Sequence, residues 1–477
     1  MATNGLKRWF LFFIPSVGRA VIALGTLPLI TIHLSAKDFG AFVLFSILAS
    51  FFQVFPQVGT SVFLVRRYHD ASPSLKKEIA SSMLVLSILV GLVAAALAIG
   101  GWLILPNIMS LDLITLHPIL MGLAWITIAS SGWLTIASEI ATLEGRASNF
   151  ASIILARDIS AAIATVISIF GFGARGDALF IGFVVGGLNG TALALFVMRY
   201  NLTAQFRMAW AKEILKEASI LGSQLFEQGI AMFERSLIAS KVSLDFLGIY
   251  GHSKTYEGLM MAISKALVRT SWGDIVSGWR KKDPATIEAS DLVTGGISTL
   301  CLFACTFFAT VGYDVVGLLS NQKFNDAATM AALWSVLIAS RMTGIIPKVI
   351  VLTAGVSHGY SAAVISGLVA FSVTLFALQD HLNAWTLALA MAANTIVYKL
   401  VLYKVASRLE RFPFQDKITF VVLAIGFGIT FIADSFAASF AERLAFFVFF
   451  SCMTAIICLT TLKKSLEIIK TISGKSQ

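Results

Sequence analysis

Long apolar segments separated by short polar loops follow one another along all 477 residues of the chain. A helix needs about 20 mainly apolar residues to cross the roughly 30 Å hydrocarbon core of a bilayer. The segments reach this length, so the pattern predicts fourteen membrane-spanning helices. Their predicted bounds are 9–33, 39–64, 79–104, 117–141, 150–172, 178–198, 215–239, 247–272, 291–318, 327–352, 360–379, 384–404, 418–438 and 443–462. No stretch of the chain is left for a separate soluble domain.

The composition agrees with a membrane-embedded chain. Hydrophobic residues account for 57% of the sequence and charged residues for 13%, whereas soluble domains carry about 25% charged residues. The mean hydropathy is +0.85. We therefore expect an all-α polytopic membrane protein, because spanning helices satisfy their own backbone hydrogen bonds.

Positive charge is concentrated in alternate loops. The 36 Lys and Arg residues exceed the 26 Asp and Glu residues and give a net charge of +10. Basic clusters at 66–77, 199–216 and 404–417 fall on one predicted side, and the loops between them hold few basic residues. This distribution predicts that both termini are cytoplasmic. It also makes membrane lipids, and not nucleic acid, the expected partners of the basic residues.

The amino-terminal segment is predicted to be the first spanning helix. Lys7 and Arg8 precede an apolar run, as in a secretory signal, but the run contains Arg19 and continues to about Leu34.

No catalytic, metal-binding or cofactor motif is found in the sequence. The cysteines all lie in apolar spans and are predicted to be small buried residues: Cys301, Cys305, Cys452 and Cys458. The six histidines are scattered, without metal-ligand spacing or a nucleophile and base beside them. The sequence therefore favours a protein that is not an enzyme.

A weak internal repeat suggests two related halves. The segment SAKDFGAF (35–42) follows span one, and SLDFLGIY (243–250) follows span seven. The matched positions are Ser35 with Ser243, Gly40 with Gly248, and Phe42 with Tyr250. The repeat predicts pseudo-symmetric six-helix lobes at 1–205 and 206–412, with two additional helices at 413–477. A common loop composition is the alternative explanation of the match.

Charged side chains inside predicted spans are the candidate functional residues, because a cation at a helix centre costs about 2.5–3.5 kcal/mol on insertion scales. The candidate substrate-binding residues are Arg19, Arg157, Arg341, Lys348, Lys254 and Arg235. The candidate ion-coupling residues are Asp158, Glu227, Glu234 and Glu257. Excess cations suit an anionic substrate, and a guanidinium can hold phosphate with two parallel hydrogen bonds.

Several features of these charges stay open at the level of sequence. Arg19 and Arg341 are predicted near mid-depth without a local acid, and the partner of Arg157 is not defined, because adjacent helix positions do not face each other. The acids can carry a coupling proton or sodium ion, or release the substrate by competing for the arginines. Some of the charges can instead be structural ion pairs or lysines that extend to the interface.

Three segments resemble bacterial polysaccharide flippases of the Wzx type, in the multidrug, oligosaccharidyl-lipid and polysaccharide exporter superfamily. They are PLITIHLSAKDFGAFVLFSILASFFQVFPQVGTSVFLVRRY (28–68), LEGRASNFA (143–151) and FERSLIASKVSLDFLGIYGHSKTYEGLMMAISKAL (233–267). The resemblance implies a fourteen-helix exporter of the bacterial inner membrane. Its implied cargo is an undecaprenyl-diphosphate-linked oligosaccharide, an O-antigen or exopolysaccharide repeat unit, carried to the outer leaflet by alternating access. A polysaccharide polymerase or glycosyltransferases are further implied partners.

Departures from the superfamily pattern narrow the range of cargoes that the resemblance implies. Drug exporters of this superfamily often carry an acid in the first helix, where this chain has Arg19, and related chains often have proline where this chain has Trp272. The arginine-rich amino-terminal pattern of lipid II flippases is also missing. The alternatives are a drug or other lipid exporter, and a polyprenyl-glycan polymerase or ligase. The enzyme class is disfavoured because its members resemble chains with a substantial outer loop, and the outer loops predicted here are short.

Overall fold

The computed structural model describes residues 2–454 except 58–59, 69–70, 110–117, 145, 175, 204, 217–218, 282–283, 321, 343–346, 349, 352–353, 355, 410–415 and 437–438. The α-helices of this part of the chain are α1 (Ala2–His33), α2 (Ala36–Gln53), α3 (Thr60–Phe63), α4 (Pro73–Met109), α5 (Pro118–Leu143), α6 (Ala147–Phe172), α7 (Ala178–Met198), α8 (Met208–Lys216), α9 (Ser219–Lys241), α10 (Leu244–Lys281), α11 (Pro284–Ala309), α12 (Gly312–Ser320), α13 (Ala327–Met342), α14 (Ser357–Ala377), α15 (Ala384–Leu409) and α16 (Asp416–Phe436). Residues 440–454 are also helical.

The helices agree with the predicted spans in order and, for most, in position. Span six was predicted at 178–198, and α7 begins and ends at these residues. Seven described helices are long and apolar enough to cross a membrane, and eight if the bent pair α11–α12 is counted as one crossing. The prediction of an all-α polytopic membrane protein is therefore confirmed. Helices α9 and α10 are not among the seven, and both carry several charged side chains.

Two spans that were predicted as continuous helices are broken. Helix α2 ends at Gln53, and a 3₁₀ turn at Phe55–Gln57 follows, in which Pro56 has no backbone N–H to donate. Span nine was predicted at 291–318, but the chain bends by 72° between α11 and α12. Here Thr310 Oγ1 donates to Thr306 O at 2.6 Å. Such side-chain bonds to the preceding turn commonly bend helices.

The chain divides into two compact units, Met1–Gly248 and Ile249–Gln477. In the first unit, α4 packs on α5, α5 and α6 pack on α7, and α1 lies along α6. In the second unit, α14 packs on α15, and α13 packs on α11 and α16. The predicted lobe boundaries at 205 and 412 rest on the sequence repeat and stay predictions.

Aromatic side chains fill one core of the first unit. Phe45 of α2 lies with its ring centroid 5.8 Å from that of Trp125 and 4.9 Å from that of Phe180. All three side chains are buried. They join α2, α5 and α7, and thereby fix the framework against which α6 is held.

Glycines spaced four residues apart on α7 bring α6 close. A Cβ atom at Gly186 would overlap Ala161 and the carbonyl oxygen of Arg157, and one at Gly190 would lie 2.9 Å from the Cβ of Arg157. Close approach of backbones is the main way in which helices associate in a lipid environment. These glycines therefore fix the position of Arg157, one of the candidate site residues.

The two repeat segments contact each other reciprocally within the first unit. A Cβ atom at Gly40 would overlap the carbonyl oxygen of Leu244, and a Cβ atom at Gly248 would overlap the carbonyl oxygen of Ala36. Ala36 and Leu244 are themselves equivalent positions of the repeat. The first turns of α2 and α10 therefore pack closely against each other at these two glycines.

We expect Gly40→Ala and Gly248→Ala each to destabilise the protein by about 1–3 kcal/mol, the usual cost of overpacking. The double variant should lose less than the sum, because either substitution separates the contact that both glycines share. Thermal unfolding of the purified full-length protein in detergent measures both effects.

Gly100→Ala is the matched control, since Gly100 lies in α4 and a Cβ atom at this position would have no other atom within 4 Å. It should be neutral or stabilising, because alanine favours a helix by about 1 kcal/mol over glycine. Additive losses at Gly40 and Gly248 would contradict a shared contact.

Candidate functional site

Two arginines share one carboxylate between α1 and α6. Arg157 and Asp158 are neighbours on α6, with Arg157 Nε 2.9 Å and Nη2 2.8 Å from Asp158 Oδ1. Arg19 of α1 reaches the other oxygen, with Nε 3.7 Å from Asp158 Oδ2. The Arg19 side chain is 63% exposed, Arg157 is 26% exposed and Asp158 is 13% exposed. The carboxylate is therefore enclosed while one guanidinium stays accessible.

This arrangement, which we call the arginine pair, places two guanidinium groups around one carboxylate. Two guanidinium groups and one carboxylate leave a net charge of +1. Asp158 holds both cations in place, and a second anion that entered would meet donors already directed at a negative group. Guanidinium groups suit phosphate because their N–H donors can bind two oxygens in parallel.

Two sequence expectations about these residues are wrong. Arg19 was expected to lack a local acid, but Asp158 is brought to it by the packing of α1 on α6. Arg157 was not expected to face Asp158. Although their Cβ atoms point about 100° apart around the helix, the long arginine side chain folds back and places its guanidinium on the neighbouring carboxylate.

A second charged cluster lies in the second unit. Lys254 Nζ is 2.5 Å from Glu257 Oε2 on the same helix, α10. The same ammonium lies 4.0 Å from the ring centroid of Trp334 on α13 and 5.3 Å from that of Tyr250. The Trp334 indole in turn donates to Ser253 Oγ at 2.9 Å. Lys254 and Glu257, proposed from the sequence for substrate and for ion, therefore form one ion pair.

The other basic candidates occupy different environments. Arg341 is partly buried near the end of the described part of α13. The predicted span continues through residues 343–346, which lie outside the described residues, so its mid-span position stays a prediction. Lys348 Nζ is 5.1 Å from the ring centroid of Tyr360. Arg235 is partly buried on α9.

The two acids of α9 differ in exposure. Glu227 is exposed, and Glu234 is buried, with 5% of its surface accessible. Their shared face was the reason for proposing both as ion-coupling residues. The two carboxylates nevertheless differ in their environment. Burial of a carboxylate such as that of Glu234 is costly unless it has partners, whereas the exposed Glu227 does not bear this cost.

Sequence reasoning missed a polar network where α5 ends. Glu144 Oε1 accepts from the Tyr68 hydroxyl at 2.8 Å and from Asn201 Nδ2 at 3.1 Å. Arg146 Nε lies 3.0 Å from Glu144 Oε2, and Arg146 Nη1 donates to Asn201 Oδ1 at 3.1 Å. Burial, followed by the bond to Glu144, raises the pKa of Tyr68 above its ordinary value. The signal was the LEGR segment at 143–146, which carries the acid and the arginine.

A buried lysine in the second unit was also missed. Lys399 lies on α15 with 3% of its surface accessible, beside the buried Thr395. It falls within predicted span twelve, so its position in the sequence was sufficient to make it a candidate.

The fold is similar to that of several solved membrane-protein structures. The structure titled lipid II flippase MurJ in an inward closed conformation has a TM-score of 0.67 at 11% identity, with 96% of this chain and 99% of that chain covered. An inward-facing multidrug resistance MATE family transporter gives 0.61 at 12% identity, covering 89% and 100%. The Vibrio cholerae MATE transporter VcmN gives 0.59 at 14% identity, covering 86% and 98%.

The sequence itself defines the family. The family described as polysaccharide biosynthesis protein matches residues 33–329, more than half of the chain. The chain belongs to this family. No curated protein sequence matches it significantly.

We expect Tyr68→Phe to destabilise the protein by about 1.5–3 kcal/mol, the range for a hydrogen bond to a charged group. Since the pKa of Tyr68 is raised, this bond is fully present below the ordinary tyrosine pKa of about 10 and is lost only as the pH rises through the raised value. Thermal unfolding near neutral pH measures the loss.

Tyr200→Phe is the control, because the Tyr200 hydroxyl accepts only an exposed bond, from Arg199 Nη2 at 2.9 Å. We expect a change within about 0.5 kcal/mol for this surface substitution. Equal effects of the two variants would show that the Glu144 network adds no stability.

Proposed function

We propose that the protein is a flippase that moves undecaprenyl-diphosphate-linked oligosaccharide from the cytoplasmic to the outer leaflet of the bacterial inner membrane. The observation that carries the proposal is the arginine pair, in which Arg19 and Arg157 converge on a single carboxylate. Membership of a polysaccharide biosynthesis family and a transporter fold support it. The proposed cargo combines the glycan of the family with a diphosphate that suits the site.

The diphosphate binds the arginine pair by replacing Asp158 as the anion. Entry of a phosphate oxygen at the exposed Arg19 gives that guanidinium a second negative partner, and the network then shifts from the carboxylate to the lipid. Release reverses the exchange, because the carboxylate stays attached beside both cations. Asp158 therefore sets the affinity at a level from which the cargo can leave.

Charge also favours this cargo over cationic drugs, although the fold is shared with multidrug transporters. A cationic drug needs an anionic or aromatic site, and Arg19 with Arg157 would repel it. The carboxylate of Asp158 is already occupied by both guanidiniums. We therefore place drug export second to lipid-linked glycan.

Transport against a gradient needs an energy source, and we assign it to a coupling ion. Glu234 of α9 and Glu257 of α10 are the enclosed acids proposed for this role, with Glu227 as the exposed one. Whether the ion is a proton or sodium is decided by measuring transport while each gradient is collapsed in turn.

Deletion of the gene in its host should cause intact lipid-linked oligosaccharide to accumulate on the cytoplasmic side, with loss of surface glycan. Complementation with Arg19→Gln or Arg157→Gln should restore surface glycan poorly and raise the apparent KM of reconstituted transport about tenfold or more, since a charged hydrogen bond is worth about 1.5–3 kcal/mol. Lysine at either position should recover only part of this, because it keeps the charge without the two-pronged geometry.

Arg408→Gln is the matched control, because Arg408 is an exposed arginine in the last turn of α15. It should complement fully. Surface glycan at normal levels in the deletion strain would refute the flippase proposal. Precursor exposed outside but left unpolymerised would favour the polymerase or ligase alternative.

Asp158→Asn should have the opposite effect on binding from the arginine variants. Two guanidiniums without their carboxylate hold the diphosphate more tightly, so both the KM and the maximal rate should fall. An unchanged KM with loss of dependence on the ion gradient would instead assign Asp158 to the coupling ion. Concentration series of reconstituted transport, run with and without the gradient, distinguish the two roles.

A further inference from the structure

Helix α8 is a short amphipathic helix fixed along the end of the first unit. Ala211 and Ile214 are buried on one side of it, and Ile214 joins the core that contains Ile79 and Met83 of α4. The loop that precedes α8 is also bound to α4, since Thr203 N donates a hydrogen bond to Ser81 Oγ at 2.8 Å. The position of α8 is thus set by the fold before any ligand binds.

A neighbouring side of α8 is exposed in the described part of the chain. Met208 and Leu215 are 59% and 47% exposed, and the exposed Lys212 lies between them on the same stripe, at spacings of four and three residues. Two apolar side chains flanking an ammonium group match the boundary of a bilayer, where acyl chains meet charged headgroups.

Arg199 places a second cation at the same end of the unit. Its guanidinium lies 4.0 Å from the ring centroid of Phe196 and 4.6 Å from that of Tyr200. Both rings are exposed, at 60% and 70%. Phe196 belongs to the last turn of α7, which is long and apolar enough to span the membrane. The arginine is therefore held where a spanning helix leaves the hydrocarbon.

Arg207, in the loop that precedes α8, is a further partly exposed cation. Its Nη2 lies 3.2 Å from Glu78 Oε1, and more than half of the arginine side chain stays exposed. Lys212 is exposed on α8, which packs against α4. The surface therefore carries an excess of positive charge next to exposed apolar groups, and this combination is complementary to anionic lipid.

We propose that α8 and the end of α7 form a binding surface for the headgroups of anionic phospholipids in the leaflet predicted to be cytoplasmic. Arg199 and Lys212 contact headgroup phosphates, while Phe196, Met208 and Leu215 contact the upper acyl chains. A basic side chain near an anionic surface contributes about 1 kcal/mol. The surface is separate from the arginine pair, and the inference does not rest on the proposed cargo.

The test titrates the full-length protein in detergent with phosphatidylglycerol or phosphatidylcholine and measures bound lipid by native mass spectrometry. We expect Arg199→Gln and Lys212→Gln each to weaken phosphatidylglycerol binding about fivefold, and the double variant about 25-fold. Phosphatidylcholine binding should change little. Arg199→Lys should keep most of the affinity, because the charge is retained.

Lys323→Gln is the control, since Lys323 is an exposed lysine of a loop predicted to lie on the other side of the membrane. It should bind phosphatidylglycerol as the unmodified protein does. Thermal unfolding of the double variant should be unchanged, because both side chains are exposed. Unchanged phosphatidylglycerol affinity in the folded double variant would overturn the proposal. An equal loss of affinity for both lipids would also overturn the proposal, because the surface would then not distinguish an anionic headgroup from a zwitterionic one.

Discussion

Close approach of helix backbones is the constraint on which the first unit depends. Lipid tails are as apolar as the helices, so burial of apolar surface gives little drive for helices to associate, and packing of small residues has to supply it. On α7, Gly186 and Gly190 let α6 come near enough for the stem of Arg157 to rest on the glycine surface. A larger residue at either position would push α6 away and move Arg157 and Asp158 together relative to Arg19. The arginine pair is therefore positioned by glycines, which carry no functional group.

Polar side chains among apolar helices have to find partners within the chain, and this requirement explains much of the remaining architecture. The last described helical segment, 440–454, is tied to α12 by Arg443, whose Nε and Nη2 lie 2.9 and 3.0 Å from the carboxylate of Asp314. Glu144, which directly follows α5, performs a similar role by contacting Tyr68, Arg146 and Asn201. Such contacts hold helix ends together where the apolar core gives no directional bond.

Sequence periodicity predicted the helices well because segment length and hydropathy are local properties of the chain. The bounds of α7 follow from 21 continuous residues without an internal charge or proline. The break between α11 and α12 was missed, because hydropathy does not register a bend within a continuous apolar segment. The repeat was visible at Gly40 and Gly248, but three matches in two short segments did not show that each glycine contacts the helix of the other.

The residue types of the candidate site were predicted from the sequence, but the ion pair between Arg19 and Asp158 was not. This pair depends on α1 lying along α6, which is a contact between residues more than 100 positions apart in the sequence.

The ratio of cations to carboxylates distinguishes the arginine pair from the one-to-one ion pairs of the same protein. Arg443 with Asp314 and Lys254 with Glu257 each oppose one cation to one carboxylate, which lowers the cost of keeping both in an apolar setting. At Asp158 one carboxylate is shared by two guanidiniums, so a positive charge is left over and Arg19 stays exposed. An uncompensated cation is costly in a membrane. A structural role would be served as well by a second acid or by one arginine fewer, whereas the excess positive charge suits the anionic cargo proposed above.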